Sequence, residues 1–353
     1  VVAWRTIEGE GGASAHSASS LVEFIPTNSW AWKAVGLAEM VRFRGCISKS
    51  VSHYTLQSRD NYLPAIQAFQ NVLRAEPEDS LSWSRLGEAY AKAGRHAAAI
   101  KALHHALELD PQNWLCSFLI AELKSEIGLY QEAISIFEEL LTQRPDELSV
   151  LVALALAHLS LGRTQFQGGY HIRAEASFLG AIEVAMLILE HYPGFRGVSW
   201  KIISDATLQL CFRTKFQNES RATKLSSALL LLLSKEDRAD PRSPSPAESS
   251  GPNAFLNISI KACHLRVALN HSSNIARGAA WYDLAIGLKT WYKKGPDVGL
   301  ETKSRVTEAM TNALKEEPTN ELYWSIYGNV QFSDHPKVAQ HAYIKALELN
   351  PKV

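Results

Sequence analysis

The sequence predicts an all-α fold, a right-handed superhelical solenoid of stacked helix pairs with a disordered insertion, and three observations carry that expectation. The first is a 34-residue unit, Ser80 to Asn113, reading SLSWSRLGEAYAKAGRHAAAIKALHHALELDPQN. The second is the return of the same spacing in the 34 residues that follow and, with decay, along most of the chain. The third is one stretch, Asp237 to Asn253, with four prolines and almost no apolar residue, which no helix pair can absorb and which is expected to be a disordered loop.

In the clearest unit Trp83, Leu86, Gly87, Tyr90, Ala99, Leu103, Ala106 and Pro111 fall at offsets 4, 7, 8, 11, 20, 24, 27 and 32, the tetratricopeptide pattern. Small Gly87, Ala99 and Ala106 let two helices approach while the large residues fill the space between them. Gly94 ends the first helix and Pro111 stops the second. The next unit places Ile120, Ala121, Ala133, Phe137, Leu140 and Pro145 at matching offsets. A third opens with Leu151, Leu154 and Ala155, but Ala174, Phe178 and Ala181 arrive about seven residues late, so a longer first helix or turn around Gln165 to Tyr170 is expected. Upstream, Trp32, Val35 and Gly36 pair with Ala65, Phe69, Val72 and Pro77 across an insertion near Gly45 to Asn61, and Leu21 and Pro26 resemble the tail of a further repeat. Downstream, Trp200, Ile203 and Ser204 mark a first helix after which the register is lost. It returns with Trp281, Leu284 and Ala285 against Val306, Met310, Ala313 and Pro318, then Trp324, Tyr327 and Gly328 against Ala339, Tyr343, Ala346 and Pro351. The expected organisation is a repeat array over 1–214 (a partial first repeat and about five units, one stretched), an irregular helix and Pro/Ser-rich loop over 215–254, and a continuing array over 255–353.

Composition narrows the function classes. The 353 residues carry 36 Lys plus Arg against 36 Asp plus Glu, which speaks against a protein built chiefly to neutralise phosphates. Four scattered cysteines, with no Cys-x-x-Cys pair, argue against a zinc ribbon or disulfide scaffold and fit a reducing compartment. The longest apolar runs, Leu148 to Leu161 and Leu229 to Leu233, fall short of a membrane span. The chain starts at Val1 in mid-pattern, which reads as a fragment of something longer, and no signal peptide is apparent.

Stacked pairs line a concave face with their first helices, and offsets 2, 5, 9, 12 and 13 point into it. The candidate partner-binding residues are therefore Trp30, Lys33, Leu37, Met40, Leu81, Glu88, Leu115, Phe118 and Glu122, with Val152, Leu156 and Leu159 continuing the run. Either a partner fills this groove or a neighbouring turn of the same superhelix does. A clamp for a terminal carboxylate is not expected, since Leu37 and Glu88 stand where it needs Asn. No catalytic or phosphate-binding motif occurs, so no enzyme, cofactor or metal is expected. His104 and His105 are adjacent on a helix and cannot share a metal as an i, i+4 pair could. Lys289, Lys293 and Lys294 interleave with Trp291 and Tyr292, a pattern open to RNA contact or to a plain helix end whose cations face the C-terminal dipole.

The blocks Trp83 to Pro111, Gly128 to Arg163, Arg173 to Phe178, Ser199 to Ala206 and Ala280 to Leu288, in that order, resemble the tetratricopeptide scaffold subunit of the superkiller complex, in its fungal form. The resemblance spans roughly Trp30 to Pro351. It implies a non-catalytic cytoplasmic scaffold, with a nuclear pool open, that holds a DExH RNA helicase and WD40-propeller subunits for exosome-mediated 3′–5′ mRNA decay, with little or no nucleic acid bound directly and no membrane. No propeller-binding residue transfers to this sequence. The alternative class is the substrate-recognition arm of an enzyme such as a glycosyltransferase or ubiquitin ligase.

Overall fold

The computed structural model describes residues 28–42, 62–213, 215–236, 252–269, 271, 273–294 and 300–350. Among them are fifteen α-helices. Contacts divide the chain into two compact units, 1–150 and 151–353.

The first unit holds α1 (Ser29–Arg42), α2 (Leu63–Ala75), α3 (Ser80–Lys92), α4 (His96–Leu109), α5 (Trp114–Glu126) and α6 (Tyr130–Gln143). They pack as the pairs α1·α2, α3·α4 and α5·α6, and each pair meets the next through α2·α3 and α4·α5. The cause is the glycine at offset 8. A Cβ on Gly36 would stand 2.7 Å from the Phe69 ring, and one on Gly87 would stand 2.6 Å from Leu103 Cγ. Only hydrogen fits there, so the large residue at offset 24 drives straight into the partner helix. Phe69 and Leu103 are fully buried by this means, and Phe137 is buried in the third pair, where Ala121 holds offset 8; each burial stabilises its pair by about 1.5–3 kcal/mol.

The turns are as regular as the packing. After α3 the Gly94 N–H bonds the Ala91 carbonyl at 2.9 Å and the Arg95 N–H bonds Tyr90 at 2.9 Å, with Gly94 at φ 73°. This is a Schellman closure, whose left-handed residue costs glycine nothing. Gly128 repeats it after α5 at φ 89°. Between pairs a proline opens each turn: Asn113 N–H reaches back over Pro111 to Asp110 at 3.2 Å, and Asp79 over Pro77 to Glu76 at 3.4 Å. The Trp83 indole then donates to the Pro77 carbonyl at 2.8 Å, locking the turn to the next first helix.

The second unit contains α7 (Leu148–Gln167, its first three residues in unit 1), α8 (His171–His191), a 3₁₀ turn Pro193–Phe195, α9 (Arg196–Leu210), α10 (Glu219–Glu236), α11 (Pro252–Ala268), α12 (Asn274–Lys294), α13 (Leu300–Glu316), α14 (Glu321–Gln331) and α15 (Pro336–Leu349). The late second helix of the third repeat is resolved by lengthening both members. Helix α7 has 20 residues against 13 in α3, and α8 has 21 against 14 in α4. Seven residues are two turns, so the packing face is kept, and Gly162 rather than Ala155 takes the close-contact role, with its would-be Cβ 2.6 Å from Phe178. Gly169, at φ 81°, closes α7 by the same Schellman bonds. Helix α7 is long and apolar enough to cross a membrane by length and composition, unlike the shorter run expected, and its Ala155 and Leu159 are buried in the core of this unit.

The stretch 215–254 carries the 18-residue helix α10, and α11 opens at Pro252. The first helix α9 packs against α11, with α10 packed on α8 and α11 as an added element. The insertion near Gly45 to Asn61, the Leu21 and Pro26 tail, and the Pro/Ser-rich residues 237–251 lie outside the described residues. At the end of the chain the regular device returns: Gly328 admits the Tyr343 ring, and Trp324 donates to the Pro318 carbonyl at 2.8 Å.

Candidate interaction surfaces

In the first unit the offset rule places three large apolar residues at the same position of successive first helices. Trp30 is 59% exposed, Leu81 60% and Leu115 39%, with Leu37 adding 40%. Soluble helices seldom spend such side chains on water in register. The other candidates differ. Met40 is 5% exposed, inside the cluster of Tyr62, Ile66 and Phe69, so it belongs to the core and not to the groove. Phe118 is half-buried and leans on Trp114 and Phe137 at centroid distances of 6.3 and 5.9 Å. Lys33 is held by Glu76 and Asp79 at 2.7 and 2.8 Å, and its bonds to Asp79 and then Glu76 keep it above the usual lysine range. That cation is spent on the turn.

Glu88 pairs with Arg85 on its own helix at 2.9 Å. Glu122 sits above the usual carboxylate range, first from desolvation and then from Glu126, with Lys92 partly opposing. Farther along, Leu156 is exposed while Leu159 is buried. The histidines are structural: His105 meets the Trp83 ring edge-on at 4.6 Å and contacts Glu108 at 2.9 Å, while His104 is exposed on another side.

The same rule, carried into α9, α12 and α14, names residues that the sequence reading had not singled out. Lys201 and Asp205 occupy offsets 5 and 9 of α9, and Tyr282 offset 5 of α12. They line a pocket of about 220 Å³ together with Arg163 and Asp283. Asp205 binds Arg163 at 2.6 Å and Lys201 at 2.9 Å; Asp283 binds Lys201 at 2.8 Å and also the buried Arg266. Burial pulls Lys201 down, but the two carboxylates more than offset it and hold the ammonium above its ordinary range. Three cations on two carboxylates leave the floor of this groove with one positive charge. Beneath it the Cys263 thiol is pushed up to about 12 by burial and then by Asp283.

Lys289 and Lys293 border a neighbouring pocket of about 160 Å³ with Tyr292, Lys303 and Asn329. Lys303 is engaged by Asp334 at 2.6 Å and donates to Ser333 at 2.8 Å. Lys289 is lowered by desolvation and then by Lys293. For Lys294 the helix backbone is described and the side chain is not.

A repeat with glycine at offset 8, a large residue at 24, a Schellman turn and a proline turn defines a tetratricopeptide-repeat protein. The family described as anaphase-promoting complex, cyclosome, subunit 3 matches residues 58–140. Superkiller protein 3 of Schizosaccharomyces pombe is 30% identical over 295 residues, 80% of this chain and 21% of that protein. Superkiller complex protein 3 of Homo sapiens is 24% identical over 314 residues, 86% of this chain and 18% of that protein. Among solved structures, the APC/C hetero-tetramer Cut9-Hcn1 aligns with a TM-score of 0.47 at 14% identity, covering 97% of this chain and 50% of that one. Within the tetratricopeptide class, then, the chain is similar to superkiller protein 3, and it spans about a fifth of the length of the curated relatives it matches.

Proposed function

We propose that this chain is a stretch of a non-catalytic cytoplasmic scaffold that docks partner proteins along its first-helix faces, within a superkiller-type assembly. The partners are then a DExH RNA helicase and WD40-propeller subunits, serving exosome-mediated 3′–5′ mRNA decay. The kinship with superkiller protein 3 supports the assembly. One structural observation carries the docking role: Trp30, Leu81 and Leu115 stand exposed at one offset of three successive first helices, where a partner segment would cover them.

The test is reconstitution. The parent chain, purified with the helicase and the propeller protein, is expected to elute as one complex on size exclusion. Leu81→Glu with Leu115→Glu should weaken a partner's hold at least tenfold while leaving the melting temperature within a few degrees, because both side chains face solvent. A parent chain that elutes alone removes the assembly reading; a double variant that binds every partner normally removes the groove reading.

A further inference from the structure

A second surface, in the second unit, has a chemistry unlike the grooves above. The turn from α7 to α8 and the linker from α9 to α10 face each other across a cleft of about 810 Å³. Its walls are Tyr170, His171, Ile172 and Arg173 on one side and Arg213, Lys215 and Phe216 on the other. Among the described residues no aspartate or glutamate lines it. The Tyr170 ring is 61% exposed and carries the Arg173 guanidinium 5.7 Å from its centroid. Phe216 is fixed from behind by the buried Phe255 at 5.3 Å, and His171 stands edge-on to Phe166 at 5.0 Å.

The cleft is held open by a buried carboxylate. Glu175 accepts the backbone N–H groups of Gln217 and Asn218 at 2.8 and 3.2 Å and the Arg213 guanidinium at 3.1 Å. Those bonds pin the linker and consume the Glu175 charge, which balances Arg213. Arg173 and Lys215 remain as surplus cations, without an ion-pair partner among the described residues. The Arg213 Nε is buried and has no acceptor among them either. Helix α8, 21 residues long, begins in this cleft without a side-chain cap, so its first-turn N–H groups and dipole add to the positive field.

An exposed Tyr170 ring and a half-buried Phe216 ring set between cations, with no competing acid among the described lining residues, suit a ligand that alternates planar rings with anionic links. We propose that this cleft binds single-stranded nucleic acid, with Arg173 and Lys215 taking phosphates and Tyr170 and Phe216 stacking bases. An acidic protein segment would satisfy the cations but leave the Tyr170 face unused, and for that reason the nucleic acid is favoured. The zero net charge of the whole chain does not oppose this, since the surplus is local.

The experiment is fluorescence anisotropy on the whole 353-residue chain with 5′-fluorescein-labelled short oligo(rU) and oligo(dT) at low salt. Saturable binding is expected, and a preference for oligo(rU) would add recognition of the 2′-hydroxyl to the same chemistry. Arg173→Glu with Lys215→Glu should weaken binding at least about tenfold and flatten the salt slope by about 1.4, two contacts at about 0.7 each. Tyr170→Ala should weaken it about fivefold or more with the salt slope unchanged, as loss of one stacked base requires. Lys337→Glu, on the exposed face of α15, serves as a control charge reversal and should behave as the parent, and circular dichroism melts confirm that every variant is folded. Absence of binding at low salt, or a double variant with unchanged affinity, overturns the proposal. So does a loss that appears equally in Lys337→Glu, or a glutamate-rich peptide that binds the cleft more tightly than either oligonucleotide.

Discussion

The α3·α4 repeat and the α7·α8 repeat solve one packing problem at two lengths. In the short one, 13- and 14-residue helices meet where Gly87 admits Leu103; in the long one, 20- and 21-residue helices meet where Gly162 admits Phe178. The contact is conserved in kind and moved by two turns in place. What also changes is the material around it. The first unit keeps ion pairs at a turn, as at Lys33, Glu76 and Asp79, whereas the second unit threads Arg163, Asp205, Lys201, Asp283 and Arg266 along its groove. A glycine contact is indifferent to helix length; a charge network is specific to the helices that supply it.

That difference can be broken most forcefully at Asp283. Replacing it by alanine leaves Arg266 buried and Lys201 short of a carboxylate, and about 3–5 kcal/mol should be lost in urea unfolding of the second unit. Next come the glycines. Gly162→Val and Gly87→Val each drive methyl groups into the facing side chain and should cost about 1–3 kcal/mol. If the seven-residue shift is right, Phe178→Leu partly rescues Gly162→Val but does nothing for Gly87→Val.

Alkaline titration tests the burial of Cys263 in the second unit. Cys263 has its folded pKa raised to about 12 against an ordinary value of 9.0, so the native state retains a proton that the unfolded chain gives up. Stability is therefore fully present below about pH 9 and falls as pH rises toward 12, by up to about 1.4 kcal/mol per pH unit. Cys263→Ala should flatten that limb, as followed by guanidinium unfolding at stepped pH. Trp83→Phe and Trp324→Phe each remove an indole bond to a proline carbonyl and should cost about 0.5–1.5 kcal/mol, equally in the two units. The smallest effect is expected from Lys33→Met, within about 1 kcal/mol, because its partners lie near solvent.

The sequence makes the short repeats plain because each of their residues answers to a local rule. Gly94 and Pro111 mark turns, and offsets 4, 8, 20 and 24 mark the packing. The same rule points to Gly128 and Gly169, whose turns have the same bonds. It reaches Lys201, Asp205 and Tyr282 as well once the offsets are carried past the first four helices. Helix α10 is harder to read: its run of leucines promises a buried helix, yet nothing local says that α9 will bypass it and pack on α11. The apolar period likewise puts Met40 on the groove face, although the Tyr62 and Phe69 side chains enclose it. The cleft of Arg173 and Lys215 is the least legible, since the two lie about forty residues apart and meet only because Glu175 holds a linker.

The added length of α7 and α8 also bears on how such a chain can change. Two extra turns bring a helix face back to within about 20° of where it began, so seven residues can be gained or lost while every knob still finds its hole. An insertion of two or five would rotate Gly162 away from Phe178 and offer a ring to a wall of side chains. Repeat arrays of this kind are therefore free to vary in quanta, each adding roughly 10 Å to the height of one wall, and a lineage can reshape what its surface presents without renegotiating what holds it together.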